Sequence, residues 1–323
     1  MEQPPANGWS PPEGLRPARL SVGVISAGRV GTALGYALER VEHVVVACSA
    51  ISEASRLRAQ RRLPDTSILP VPDVAQRAEL LLLTVPDAEL ASLVSGLAGT
   101  GVVRPGTIVV HTSGANGVGV LAPLTEQGCI PLAIHPAMTF TGSDEDLARL
   151  PDTCFGITAA DEVGYAIGQS LVLEIGGEPF RVPEHARTQY HAALAHASNH
   201  LVTLLLDAVD TLRASLRGEE LLGQELVGDA PGGLPERVVG PLARAALENA
   251  LQRGQAALTG PVARGDAAAV GAHLRALRAL DPQLAQAYRA DSLRTAQRAH
   301  APVDVFAVLS DAGPETSPET SQG

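Results

Sequence analysis

Three histidines, His191, His196 and His200, fall within the stretch "YHAALAHASNHLVTLLLDA" that runs from Tyr190 to Ala208. Metal ligation, proton donation to a substrate and ordinary polar contacts at a core edge are all open to them. At about 100° per residue, His196 and His200 lie about 40° apart with Asn199 beside them, while His191 falls about 180° from His200. The three therefore cannot share one ligand. His196 and His200 have the i, i+4 spacing of a metal pair, but no nearby Glu, Asp or Cys completes an evident third ligand, so no metal is expected. Gln189, His196, Asn199, His200 and Thr203 instead form a polar stripe opposite Leu201, Leu205 and Ala208. Hydride reduction of a ketone needs a proton for the developing alkoxide, and a histidine titrating near neutrality suits that task. The competing reading is a structural face without a chemical role.

A helix supplies one wall of a site, and the facing wall is sought at the ends of strands. "VGVISAGRVGTALGYAL" reads as strand, turn and helix start, with Ser26, Gly28 and Gly31 at the three glycine positions of a dinucleotide fingerprint. Gly28 would let a pyrophosphate approach the backbone and Gly31 would let the helix pack on the strand, while Ser26 departs from the pattern. Ser26, Ala27, Gly28, Arg29, Val30 and Gly31 are the expected phosphate-binding turn, at a helix start whose N–H groups favour anions. The second strand, "HVVVACS", ends without the carboxylate that usually binds the ribose hydroxyls of NAD. Ser49, Ser52 and Arg56 would cradle a 2′-phosphate, so NADP is favoured over NAD, although Ser52 also suits a helix cap.

Further strand ends add candidates. "LLLLTVPDAEL" puts Val85 and Pro86 beside the expected nicotinamide position, with Asp87 read as a helix cap. "IVVHTSGANGVGVL" gives a small-residue turn in which Ser113, Gly114 and Asn116 could receive a carboxylate. "LAIHPAMTFTG" ends a strand on His135, a titratable group that either serves the site or bonds a carbonyl. In "LTGPVARGDAAAVGAHL", Gly260, Pro261 and Gly265 suggest a sharp turn and Asp266 a cap, while Arg264 suits either a carboxylate ligand or an interhelical contact.

The elements that must position these residues change character along the chain. From residue 20 to 182, apolar runs such as "LSVGVI", "HVVVAC" and "GTIVVHT" alternate with helical stretches, the pattern of a mostly parallel sheet covered on both faces. From 183 to 309 the pattern is helical and rich in Ala, Leu and Arg. Residues 1–19, rich in proline, are expected to be a flexible arm, and the polar repeat in 310–323 a disordered tail. The fold class expected is α/β, a parallel-sheet domain followed by an all-helical domain, with the cleft at the carboxyl ends of the strands.

Composition narrows the partners. A net charge of -11, from 35 acidic and 24 basic residues, disfavours nucleic acid and anionic lipid. No apolar run is long enough to span a membrane. Cys48, Cys129 and Cys154 stand apart without metal spacing, as buried thiols in a reducing cytoplasm would. Small molecules are the expected ligands, and the apolar helices after residue 183 suggest a homodimer.

Taken together, "TVPD", "HTSG" and "HPAMTFTG" resemble the superfamily of 6-phosphogluconate dehydrogenase, β-hydroxyacid dehydrogenases, prephenate dehydrogenase and ketopantoate reductase. "HPAMTFTG" is similar to the His-Pro-Met-Ala-Gly turn of prephenate dehydrogenases. The chain from Leu20 to about Leu309 is closer still to a bacterial family that pairs a Rossmann-like domain with a helical domain long without assigned function, most clearly at "LTGPVARGDAAAVGAHL". The resemblance implies an NADP(H)-dependent reductase of a small oxo acid, with ketopantoate first because some proteins of this type are regarded as alternative ketopantoate reductases. Against the Lys-x-x-Asn of β-hydroxyacid dehydrogenases, "HASN" sets His196 at the proton-donor position and Asn199 at the substrate-orienting one. On this reading Ser113, Asn199 and Arg264 hold the acid, and His196 or His135 donates the proton.

Overall fold

The computed structural model describes residues 19–217, 220–221, 224–225 and 232–310. The proline-rich arm and the polar tail lie outside the described residues, apart from their inner ends. The chain divides between His196 and Ala197 into two compact units.

The first unit is built on one eight-stranded sheet. Its strands are β1 (Ser21–Ile25), β2 (Val44–Cys48), β3 (Ser67–Ile68), β4 (Leu80–Leu83), β5 (Ile108–His111), β6 (Ile130–Pro136), β7 (Cys154–Ala159) and β8 (Glu178–Arg181). They lie in the order β3-β2-β1-β4-β5-β6-β7-β8, parallel except for β7 against β6. The sequence expectation of a mostly parallel sheet is met because the inner strands are apolar on both faces; all four leucines of β4 are buried. Helices α1 (Arg29–Glu39), α2 (Glu53–Arg62), α3 (Val71–Arg77), α4 (Asp87–Thr100), α5 (Ala122–Thr125), α6 (Asp144–Arg149) and α7 (Glu162–Glu174) connect the strands. Two apolar cores result: one gathers Val24, Leu34, Leu82 and Phe155, the other Ile25, Leu81, Leu90 and Val109. Burial of each such side chain contributes about 1.5–3 kcal/mol.

β3 and β8 carry no apolar run, and only the register of their neighbours makes them strands. Two thiols, Cys48 and Cys129, are buried as expected, whereas Cys154 is exposed at the start of β7.

After β8 the chain does not leave the sheet at once. A 3-10 turn (Glu184–Ala186) leads into α8 (Arg187–Ala195), which still belongs to the first unit. The single long helix expected through residue 208 is interrupted: His196–His200, the segment "HASNH", forms a π-helical turn before α9 (Leu201–Ser215). The second unit continues with a two-residue strand pair, β9 (Glu220–Leu221) and β10 (Gln224–Glu225). Then come α10 (Leu234–Arg253), α11 (Gly260–Arg264), α12 (Ala267–Leu280), α13 (Pro282–Ala299) and α14 (Val303–Ser310). The small strand pair is the departure from an all-helical domain. Val262, Val270, Leu274, Ala296, Val305 and Leu309 form this unit's core.

Candidate functional site

Strand order reverses between β1 and β4, and open α/β sheets bind ligands outside the carboxyl ends of strands at such a switch. A cleft of about 790 Å³ opens there, lined by the turn after β1, the end of β2, the start of α2 and the start of α4. Its size lies within the usual range of ligand pockets.

The turn is braced from three directions. Ser26 has a left-handed backbone, φ 72°, at the position where a fingerprint glycine would stand. Its N–H donates to Ser49 Oγ at 2.9 Å, and its carbonyl accepts from the Thr84 hydroxyl at 2.7 Å and from Gly28 N–H at 2.7 Å. Gly28 faces open space, since a Cβ there would meet nothing nearer than 3.8 Å. At Gly31 a Cβ would lie 2.5 Å from both the Ser26 carbonyl oxygen and Thr84 Oγ1, so the first turn of α1 packs directly on the loop. Ala27 is fully buried and Val30 packs against the core, while Ser26, Gly28 and Arg29 line the cleft.

On the β2 side the lining is Ser49, Ala50, Ile51, Ser52, Ser55 and Arg58. Ser52 combines the two roles considered for it, lining the cleft and capping α2 by accepting Ser55 N–H at 3.1 Å. Ser49 is buried, its hydroxyl committed to the turn. Arg56 is absent from the lining: its Nε donates to the Ala50 carbonyl at 3.3 Å, and Arg58 stands at the cleft in its place. Val85 and Pro86 line the β4 side. Pro86, not Asp87, is the N-cap of α4, and Asp87 sits in the first turn without a side-chain cap bond.

A second polar cluster occupies the carboxyl ends of β5 and β6 and the adjoining part of antiparallel β7. His111 is fully buried; its Nδ1 accepts Ser113 N–H at 3.2 Å, which leaves Nε2–H to donate to the Gly117 carbonyl at 2.9 Å. Burial drives its pKa down to about 4, so the ring is a neutral clamp on the turn. Ser113 Oγ accepts from the backbone and side-chain amides of Asn116 at 3.1 and 2.9 Å. Gly114 packs on two imidazoles: a Cβ there would lie 2.6 Å from His191 Cδ2 and 3.0 Å from His135 Nε2. Sequence-expected Ser113, Gly114, Asn116 and His135 are thus brought together.

The segment after β8 locks this cluster. The Glu184 carboxylate accepts Val118 N–H at 2.8 Å and Gly119 N–H at 3.0 Å. Arg187, 1% exposed, donates to Thr158 Oγ1 at 2.7 Å and to the carbonyls of Ala133, Gly156 and Ser113 at 2.8, 3.0 and 3.4 Å. All four acceptors are neutral. The Tyr190 hydroxyl lies 2.9 Å from His135 Nδ1. Sequence reasoning missed Arg187 and Tyr190; their one signal was position, directly after the last strand.

His196 and Asn199 are exposed in the π-helical turn, as is Arg264 at the end of α11. Gly265 takes the left-handed conformation, φ 80°, and Asp266 caps α12 by accepting Ala269 N–H at 3.0 Å. Among the described residues, no cluster of three or more His, Cys, Asp or Glu could hold a metal. No helix among them is long and apolar enough to cross a membrane.

The strand order, the turn and the switch-point cleft define a Rossmann-like fold. Residues 1–136 match the family model of a Rossmann-like domain, and residues 153–295 match that of a domain of unknown function, DUF2520. Comparison with curated proteins returns no match. Among solved structures, the chain is similar to a candidate NADP oxidoreductase from Bacteroides fragilis, at 21% identity and TM-score 0.68, over 86% of this chain and 98% of that one. A protein from Thermotoga maritima covers the same shares at 20% identity and TM-score 0.60. A reductive aminase from Aspergillus terreus in complex with NADPH4, cyclohexanone and allyl amine matches at 14% identity and TM-score 0.58, over 90% of this chain and 99% of that one.

Proposed function

We propose that this chain is an NADP(H)-dependent oxidoreductase that reduces a small oxo acid. The cleft at the β1/β4 switch carries the reading. Its turn offers open backbone at Gly28, and its β2 side offers Ser52, Ser55 and Arg58 with no carboxylate, which suits a 2′-phosphate better than the free ribose hydroxyls of NAD. The similar NADP oxidoreductase candidate of Bacteroides fragilis and the Aspergillus terreus reductive aminase in complex with NADPH4 lend support.

Bound NADPH would supply hydride to a carbonyl carbon. Ser113 would hold the acid, and His196 or His135 would serve the oxygen. Imine reduction, the chemistry named for some structures of this fold, passes through a cationic substrate. The buried charge of Arg187, bonded to neutral acceptors on β6, antiparallel β7 and the turn after β5 and opposed only in part by Glu184, favours an anion over a cation there. The resemblance to alternative ketopantoate reductases makes ketopantoate the first acid to test.

The test is NADPH oxidation with a panel of 2-oxo and 3-oxo acids, ketopantoate included, beside cyclic imines. Turnover of oxo acids is expected. Turnover confined to imines would overturn the substrate class, and failure to bind either dinucleotide would leave a scaffold or sensor on the same fold.

A homodimer formed through α9 and α10 belongs to the same proposal. Val202 and Leu206 on α9 are exposed one helical turn apart, and on α10 the exposed pairs Val238/Leu242 and Leu247/Leu251 are each one turn apart but on opposite sides of the helix. Apolar faces of this kind mark interaction surfaces.

A further inference from the structure

We propose that Tyr190 and His135 form a proton relay to the substrate oxygen, with buried Arg187 as its fixed positive charge; the relay rests on the reductase reading above. The geometry begins at the Tyr190 hydroxyl, 2.9 Å from His135 Nδ1 with the two rings edge to face, 5.6 Å between centroids. The opposite nitrogen, Nε2, lies beside Gly114 in the turn expected to receive the substrate, and among the described residues nothing is hydrogen-bonded to it.

The groups facing His135 are Arg187, Tyr190 and His191 from α8, His111 from β5 and Asp87 from α4. Burial, then Arg187 and His191, hold its pKa down to about 4, with Asp87 opposing. The ring is therefore neutral near pH 7, and a neutral imidazole can give up a proton without becoming an anion only by taking another. Tyr190 is placed to provide it. Burial pushes the phenol's pKa up, so it is protonated in the resting site, while Arg187 works in the opposite sense. With the phenol donating to Nδ1, the ring's own proton is on Nε2, aimed away from Tyr190.

The step balances. As hydride reaches the carbonyl carbon, the developing alkoxide takes the Nε2 proton, forming an O–H bond and breaking N–H. Nδ1 takes the phenolic proton, so His135 stays neutral in its other tautomer and Tyr190 is left as phenolate. The Arg187 guanidinium, 5.8 Å from the phenol ring centroid, stabilises that phenolate until solvent returns the proton. Arg187 touches no reacting atom; it acts by position, tied to β6, β7 and the turn after β5 through neutral acceptors, with the Glu184 carboxylate offsetting part of its charge.

The test pairs a spectrum with kinetics on the full chain. In ¹⁵N-histidine NMR near neutral pH, His135 should be neutral with its proton on Nε2, and Tyr190→Phe should remove that tautomer preference; an imidazolium or an Nδ1–H ring in the wild type would overturn the relay. With the best oxo acid, Tyr190→Phe and His135→Gln should each lower kcat by about a hundredfold or more while NADPH affinity holds. The double variant should lose no more than either single one. The solvent deuterium proton inventory should be curved in the wild type and linear in Tyr190→Phe. If Tyr190→Phe does not fold, His135→Gln and the wild-type spectrum and inventory decide. Wild-type kcat in Tyr190→Phe, additive losses or a linear wild-type inventory would overturn the relay alone. Absence of any oxo-acid turnover by the wild type would instead overturn the reductase reading, and the relay with it.

Discussion

The Thr84 hydroxyl donates to the Ser26 carbonyl at 2.7 Å and to the Ile25 carbonyl at 3.0 Å, so the end of β4 holds the turn that follows β1. That contact, with the bond from Ser26 N–H to Ser49 Oγ, keeps a serine in left-handed backbone at a cost of roughly 1–2 kcal/mol. Ser26→Gly should relieve the strain without removing either backbone partner. We expect unfolding free energy to rise by about 1 kcal/mol in urea, with NADPH affinity retained. A fall in stability would show that side-chain contacts of Ser26 outweigh the strain.

Dinucleotide preference should follow Arg58 and not Arg56. Arg58 lines the cleft beside Ser52 and Ser55, while Arg56 bonds the Ala50 carbonyl. Loss of a charged hydrogen bond to a 2′-phosphate costs about 1.5–3 kcal/mol, or roughly tenfold to a hundredfold in affinity. Calorimetry should show Arg58→Ala weakening NADPH by that factor and leaving NADH unchanged, with Arg56→Ala near wild type. Gly28→Asp should abolish binding of both, because a carboxylate would enter the pyrophosphate position. Equal effects of the two arginine variants would detach the selectivity from the cleft.

How far the sequence reaches depends on the range of the interactions. The strands were readable because "LLLL" and "VVVAC" are apolar without interruption, as burial on both faces demands of β4, although β2 begins exposed at Val44. The turn at Ser26–Gly31 was readable from spacing, although not the Thr84 and Ser49 bonds that hold it. Arg187 was invisible because its partners, Ser113, Ala133, Gly156 and Thr158, are brought together only by the sheet. Nothing local separates it from a solvated arginine. The phase of the histidine helix was misread for another reason: i→i+5 bonding at His196–His200 has no signature in a 3.6-residue period, so the angular arithmetic fails across it. The sequence reading places Arg56 at the 2′-phosphate and leaves Arg58 out; which of them reaches the cleft depends on the phase of α2 relative to it.

Assembly is testable at α10. Leu242 and Leu251 are 71% and 79% exposed, more than any core-packing role allows. Light scattering at micromolar concentration should give the mass of a dimer, and one of Leu242→Glu and Leu251→Glu, which stand about 180° apart on α10, should give a monomer with an unchanged helical spectrum, since neither side chain supports the fold of its own unit. A monomeric wild type would count against the proposed interface.

His111 makes a prediction about stability and pH. Its two ring nitrogens hold the turn only when neutral, because Nδ1 must accept from Ser113 N–H while Nε2–H donates to the Gly117 carbonyl. Burial, with a smaller contribution from Arg187, holds the folded pKa at about 4, below the ordinary 6.5 of an exposed ring. Between those values the unfolded chain binds a proton that the folded chain refuses. Stability is therefore full above about pH 6.5 and falls as pH drops towards 4, by roughly 3 kcal/mol for this one ring. Half-buried His135 adds to the slope in the same direction. Urea unfolding from about pH 7 to about pH 5 should show a steady loss in the wild type. His111→Gln should start lower, having lost the clamp, and descend less steeply, keeping the part of the slope that belongs to His135. Parallel slopes for the two proteins would mean that the ring titrates alike in the folded and unfolded chains, and that the turn is not held by a neutral histidine.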